Sequence, residues 1–325
     1  MNEFEIISHY FKQANLNSQK EILLGIGDDA AIIDVPDDSE LLISTDTLVA
    51  GIHFPLNTLP EDIAYKALAV NLSDMAAMGA DPRWITLSLT IPEFNEDWFK
   101  HFADSFNQLA VDYAIVLIGG DLSRGPLSVT VQMLGLVPKS ISKKGVALRR
   151  QGATPGDLIF VTGKLGAAAY ALRSIQNQDN IFQNPTTEET QRLNRPEPRI
   201  KTGIALRGIA NSCIDISDGL LADLGHILEA SHVGAEVMLE NIPYSDSLLL
   251  LDNELAIELV LTGGDDYELC FTLPADTKAN IIEKLNMTCP VRQIGLINNQ
   301  TSNLVFKKAN GEIYTSKFHA YRHFD

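Results

Sequence analysis

Short apolar runs in this chain keep ending on aspartate, usually with glycine alongside: Gly25-Ile-Gly-Asp28-Asp29, Ile43-Ser-Thr-Asp46, Ile118-Gly-Gly-Asp121, Ile214-Asp215-Ile-Ser-Asp218-Gly219 and Gly263-Gly-Asp265-Asp266. A brief apolar run reads as a buried strand, and a strand end is where a fold can aim a side chain into a shared cleft. Glycine at that point lets a ligand approach the backbone closely. Two carboxylates about 4 Å apart repel by roughly 4 kcal/mol at an effective dielectric near 20. Several converging acids therefore imply bound cations, and the pattern calls for sheets whose strands deliver acids to one dispersed metal site.

The chain has 325 residues, more comfortable as two domains than as one. Its 42 acids against 25 lysines and arginines leave a net charge of −17, which argues against nucleic acid and anionic membrane surfaces as partners. An anionic ligand such as a nucleotide would need metal ions as intermediaries. The start, Met1-Asn-Glu-Phe-Glu-Ile-Ile-Ser-His9, has neither a basic nor an apolar leader, and no apolar run approaches a bilayer span, so a cytoplasmic protein is expected. Cys213, Cys270 and Cys289 have no C-x-x-C spacing and read as reduced core thiols.

Apolar periodicity predicts strands at Leu41–Thr45, Trp84–Ile91, Ile115–Ile118 and Leu127–Val137, with helices over Pro60–Met78 and from about Glu96 to Val111. The alternation of Val129, Val131 and Met133 makes the last of these strands look like an apolar edge seeking a partner. From Pro138 the chain turns polar and basic, and Gly152, Pro155 and Gly156 mark a break, so the domains are set at 1–148 and 149–325. In the second half, strands are expected at Leu158–Thr162, Cys213–Ile216, Ala235–Leu239, Glu268–Leu273 and Val291–Ile297. Helices are expected after Gly163, near Ile200–Ala210, Leu220–Ala230, Glu254–Val260 and Thr277–Leu285. Gln176–Glu197 is polar without an apolar period and reads as an exposed loop. Both halves mix strands and helices, which gives an α/β (mixed α+β) class.

Two familiar phosphate motifs come close and fail. Gly25-x-Gly27-x-x-Ala30 is followed by strand-like residues and no clear helix, and Gly163-Lys164 has Leu165 where a P-loop needs Ser or Thr. The sharpest single residue is Asp74, one turn beyond Asn71 on a helix otherwise built of Ala, Leu, Val and Met; a carboxylate there needs a partner, either Lys66, a backbone N–H or a metal. Asp46 reads as a strand-end ligand or a turn residue, and Asp29 stands out from the acidic turn residues Asp28, Asp34, Asp37 and Asp38. Asp215 points opposite to Ile214 and Ile216, and Ser217 or Asp218 is placed to cap the following helix. Gly119-Gly120-Asp121 offers backbone N–H groups beside a carboxylate, or simply a turn. His53 alone carries no functional signal.

Taken together, Gly25-Ile-Gly-Asp-Asp-Ala, Ser44-Thr-Asp-Thr-Leu-Val-Ala-Gly-Ile-His-Phe, Ala67 through Asp74-Met-Ala-Ala-Met-Gly-Ala-Asp-Pro82, Gly119-Gly-Asp, Asp215-Ile-Ser-Asp-Gly-Leu and Gly263-Gly-Asp-Asp-Tyr-Glu-Leu resemble the thiamine-monophosphate kinase family. That family shares the aminoimidazole ribonucleotide synthetase-like fold of two α/β domains. The resemblance implies a homodimer formed through the first domain, and a second domain completing the ATP and substrate cleft. It implies ATP-dependent phosphorylation of thiamine monophosphate with several Mg²⁺ ions and no strong general base, charge being neutralised at Asp46, Asp74 and Asp121. Carried over residue by residue, Asp29, Ser44, Thr45, Asp46, Asp74, Asp121, Asp215 and Asp218 fall on metal positions. Gly120 with Asp121, Arg150 (or its neighbour Arg149) and Ser217 fall on nucleotide contacts, while His53, Asp265 and Tyr321 fall on thiamine phosphate contacts. Leu122 stands where the family has Thr, and Asp265 where it has Glu.

Two rival classes make different demands. A selenophosphate synthetase of the same fold would want a reactive cysteine near the amino terminus, whereas the first cysteine is Cys213. A calcium-binding scaffold would show an EF-hand loop, and none is present.

Overall fold

The computed structural model describes residues 3–11, 20–139, 146–176 and 182–318. The chain divides into two compact units, Met1–Met75 with Ala80–Val146, and Ala76–Gly79 with Ala147–Asp325.

The first unit contains α1 (Glu3–Tyr10), β1 (Ile22–Leu24), β2 (Ile32–Ile33), β3 (Ser39–Val49), α2 (Pro60–Ala77), β4 (Asp81–Ile91), α3 (Glu96–Asp112), β5 (Val116–Arg124) and β6 (Ser128–Pro138). Strands β3, β6, β4 and β5 form one sheet in that order, with β1 and β2 as a separate antiparallel pair. Trp84, Val116, Ile118, Leu134 and Leu136 of the sheet pack with Ile22, Ile33, Val35 and Leu41 into one core cluster. Val129, Val131 and Met133 are fully buried. The apolar alternation of β6 thus reports an interior strand, hydrogen-bonded on both sides, and not the expected edge; the edges are β3 and β5. Helix α3 opens on Asn95, whose side chain accepts from Trp98 N, and turns Phe99, Phe102 and Phe106 inward.

The second unit contains β7 (Leu158–Thr162), α4 (Ala167–Gln176), α5 (Thr187–Asn194), α6 (Ile200–Leu206), β8 (Ser212–Asp215), α7 (Leu220–Ser231), β9 (Gly234–Met238), α8 (Asn253–Thr262), β10 (Leu269–Leu273), α9 (Ala279–Asn286), β11 (Val291–Asn298), β12 (Leu304–Lys307) and β13 (Ile313–Tyr314). Its sheet runs β13-β12-β9-β11-β7-β10-β8, antiparallel except where β12 lies parallel to β9. Ile159, Val161, Ile214, Leu224, Ile227 and Val237 belong to its main core. The three cysteines are free and buried, and burial raises each thiol above its usual range.

One expected loop is in part a helix. Within Gln176–Glu197, α5 forms because Thr186 caps it and Glu189 reaches back to the Thr186 N–H, a reciprocal capping box. Leu193 of α5 packs with Ala168 and Ala171 of α4. A single buried leucine gives no apolar period, so the helix was signalled only by its cap. Among the described residues no helix is long and apolar enough to cross a membrane.

Candidate active site

Aspartates of the first unit come from strand interiors as well as loops. Asp46 lies within β3, opposite Val131 of β6, rather than at a strand end. Ser44, two residues earlier, donates from Oγ to Asp74 Oδ2 on α2, so the pair is a hydroxyl–carboxylate contact between helix and sheet. Asn71, one turn before Asp74 and fully buried, donates from Nδ2 to Ala67 O but leaves Oδ1 without a hydrogen-bond partner. Thr45 is exposed on β3 and accepts from Gln132 Nε2 at 3.4 Å.

The Gly119-Gly120-Asp121 segment is strand, not turn. β5 runs on past Ile118 and stays paired with β4 through a register shift that sets Gly119 beside Thr86, Gly120 beside Leu87 and Asp121 beside Ser88. A Cβ on Gly120 would lie 1.9 Å from the Leu87 carbonyl oxygen, so only glycine fits this irregular pairing. Asp121 is exposed and accepts from Ser123 Oγ at 2.6 Å. Gly119 to Leu122, Asp28, Asp29, Thr86, Leu87, Ile7 of α1 and Phe11 just after it line a cleft of about 600 Å³, within the range of small-molecule sites. The cleft brings Asp29, Gly120 and Asp121 together and adds Asp28, which the sequence reading had left among the turn acids. Ser44, Asp46, Asp74 and His53 do not line it. His53 uses Nδ1 to accept from the Val49 N–H at 3.0 Å, so any ligand contact falls to Nε2.

In the second unit, Asp215 is the last residue of β8 and is buried. The expected cap of the next helix is absent: Gly219 is the N-cap of α7, at φ 111°, and no side chain bonds from it. The acceptor is Asp223, inside the first turn, whose Oδ2 takes the N–H groups of Ser217, Asp218 and Gly219 at 3.0, 3.0 and 3.1 Å. Burial, then the neighbouring Asp215, pushes the Asp223 carboxyl up to about 7, against the pull of the Asp218 and Ser217 N–H groups. Ser217 is committed at both backbone atoms, since its carbonyl accepts from Asp265 N at 2.9 Å; a nucleotide contact there falls to its hydroxyl.

Asp265 and Tyr267 sit at φ 68° and 50°, left-handed conformations that cost a non-glycine residue on the order of 1 kcal/mol each. The Tyr267 hydroxyl donates to Asp265 Oδ1 at 3.1 Å, and Tyr267 N donates to Ile216 O. Burial holds the adjacent Asp266 carboxyl well above its usual range, although it accepts from the Gly166 N–H at the start of α4. Glu268, also buried, accepts from Thr162 Oγ1 and from Arg199 Nε at 2.6 and 2.7 Å. Arg149 and Arg150 are both exposed; the Arg149 carbonyl accepts from Cys213 N on β8, and the Arg150 carbonyl accepts from Ser231 Oγ at the end of α7. Tyr321 lies outside the described residues.

Sequence reasoning missed Asp223 and Glu268. A signal existed for the first: an acid in the opening turn of a helix whose neighbours Leu220, Leu224 and Ile227 all face the core.

Among the described residues no three His, Cys, Asp or Glu side chains gather closely enough to hold a metal ion by themselves. Magnesium asks for less, since one or two carboxylates with water and substrate phosphates complete its shell. The candidates are carboxylate and hydroxyl oxygens, hard donors of the type it takes. Asn71 Oδ1, buried without a partner one turn from Asp74, is the kind of acceptor a cation-bound shell satisfies, because such an atom otherwise costs about 1–3 kcal/mol. The donor set fits magnesium.

The two mixed α/β units place the chain among the AIR synthase related proteins: residues 27–137 match that family's N-terminal domain and 154–307 its C-terminal domain. The chain is 46% identical over 325 residues to thiamine-monophosphate kinase of Escherichia coli strain K12, covering 99% of this chain and 98% of that protein. The crystal structure of thiamine-monophosphate kinase from Stenotrophomonas maltophilia K279a superposes with a TM-score of 0.84 at 43% identity, covering 97% of this chain and 98% of that one. A structure described as AaThiL complexed with AMPPCP and TMP matches with a TM-score of 0.75 at 28% identity over 99% and 97% of the two chains. The chain belongs to the thiamine-monophosphate kinase family within the AIR synthase related proteins.

Proposed function

We propose that this protein transfers the γ-phosphoryl group of ATP to the phosphate of thiamine monophosphate, giving thiamine diphosphate. The observation that carries the reading is family membership along the whole chain, in a family with a solved member complexed with AMPPCP and TMP. Phosphoryl transfer needs little covalent chemistry from protein; it needs two anions held in line with their charge neutralised. An ionised phosphate acceptor needs no strong general base, which agrees with the aspartates and backbone groups that make up the candidate site. Bound Mg²⁺ supplies the counter-charge that a protein of net charge −17 lacks.

Asp29, Asp121 and the Gly119–Gly120 backbone are assigned to the metal-bound phosphates, with Asp28 as an added donor. Ser44, Thr45, Asp46 and Asp74 form the second group of metal oxygens in the first unit, and Asp215 with Asp218 those of the second unit. Ser217 and Arg150 hold the nucleotide. Asp265, His53 and Tyr321 hold the acceptor. The reading is tested by ATP consumption with thiamine monophosphate against thiamine, which lacks both the nucleophile and its metal-binding oxygens. Turnover should require the monophosphate; equal rates with thiamine would overturn the acceptor assignment.

The cytoplasm is the proposed location, and homodimerisation through the first unit is proposed with it. Support for a dimer comes from edge strand β3, where Ile43 is 59% exposed and the exposed Thr47 lies on the same face. Sedimentation should give twice the chain mass at micromolar concentration. A monomer there would refute the dimer.

A further inference from the structure

Three consecutive N–H groups aimed at one oxygen make an anion seat, the arrangement that loops before helices use to hold phosphate. At the start of α7 that seat is filled from within the chain. Asp223 Oδ2 takes the N–H groups of Ser217, Asp218 and Gly219 at 3.0, 3.0 and 3.1 Å, and the residue is only 3% exposed. Gly219, the N-cap, has no side chain to fill that role. Three successive N–H groups converging on one buried oxygen pin the loop backbone from Ser217 to Gly219 at three points.

We propose that Asp223 is a positioning residue of the phosphoryl-transfer reaction: it fixes the backbone of the Ile216–Gly219 loop and closes its anion seat. The loop is then left with carboxylates and a hydroxyl to present, and takes a divalent cation instead of a bare phosphate. The proposal rests on the assignment of Asp215 and Asp218 as cation ligands under Proposed function. It also explains how a cation can sit beside a helix N-terminus: the positive end of α7 is spent on a carboxylate that never leaves. Asp223 touches neither the reacting atoms nor, by this reading, the cation.

The experiment compares Asp223→Asn, Asp223→Ala, Asp215→Asn and Asp218→Asn with the unmodified full chain, using Mn²⁺ alone as the probe, read by electron paramagnetic resonance. Hydrogen exchange of the peptide covering Ser217–Gly219 and thermal melting are measured alongside. Asp223→Ala is expected to weaken Mn²⁺ binding about tenfold, the lower end of what orienting partners of metal ligands contribute. It should also speed exchange in that peptide about tenfold or more while the peptides of β10 and β11 keep their protection. Asp223→Asn retains one oxygen in the right place and should recover most of both properties. Unchanged Mn²⁺ affinity in Asp223→Ala overturns the proposal; if that variant does not fold, an Asp223→Asn chain that keeps its loop-amide protection yet binds Mn²⁺ about tenfold more weakly does so, because the carboxylate then acts on the cation directly and not by positioning the loop. The two readings fail differently. If Asp215→Asn and Asp218→Asn weaken Mn²⁺ binding while the Asp223 variants do not, the cation site stands and the positioning role falls. If the Asp215 and Asp218 variants also bind Mn²⁺ normally, the cation assignment of this loop itself is wrong.

Discussion

A carboxylate on a helix of small apolar residues is costly unless something compensates it, and Asp74 is compensated in part by Ser44 Oγ. That contact joins two residues thirty positions apart that the family resemblance had independently assigned to metal. Replacing Asp46, Asp74 or Asp121 by Asn keeps size and hydrogen-bonding reach while removing charge. Each substitution should lower kcat by about 100-fold or more, since charge neutralisation is the main work of such a site, with melting temperatures close to the unmodified chain. Steady-state kinetics beside thermal melts would check it, and full activity in any two variants would refute the site. Asp74 and Asp215 stand out in the sequence because apolar neighbours make an acid conspicuous, and the structure gives the first a hydroxyl partner and buries the second. Asp28 was not, because an exposed acid in a turn looks the same whether or not a cleft lies beside it.

Strands and helices with strong apolar periods were read correctly from the sequence: α2, α3, β4, β7 and β10 lie where periodicity put them. The failures share a cause. β5 continues through Gly119-Gly120-Asp121 because its pairing partner β4 holds it there, and glycine, which normally argues for a turn, is in this case demanded by a neighbouring carbonyl. β6 looks like an edge in the sequence because its apolar alternation says only that one face is covered, never which strands flank it. α5 was missed because its stability comes from its first turn. Thr186→Ala removes the acceptor for Glu189 N and should cost about 1 kcal/mol, typical of a lost N-cap. Urea denaturation with an unchanged m-value and a lower midpoint is the expected result; no shift would mean that α5 is held by Leu193 alone.

At the scale of the whole molecule the net charge of −17 governs ligand capture. ATP approaches a protein of its own sign, and the cleft that holds Asp28, Asp29 and Asp121 repels it further. Calorimetry in excess chelator should therefore show ATP affinity reduced at least about tenfold against the magnesium-containing titration. Tight binding without divalent cation would remove the basis for metal-bridged capture.

Asp265 N reaches Ser217 O, Tyr267 N reaches Ile216 O, and Ile216 N reaches Glu268 O, so the loop after β8 and the loop before β10 are sewn to each other along their length. Directly beyond that seam β10 pairs residue for residue with β8, Leu269 opposite Asp215 and Phe271 opposite Cys213. Inserting or deleting one residue on either side of the seam would turn every β10 side chain to the opposite face of the sheet. Loop length here is consequently a ruler: the spacing that sets Ser217 against Asp265 and Asp215 against Leu269 is the same spacing that keeps Cys270 in the core, and neither can drift without the other.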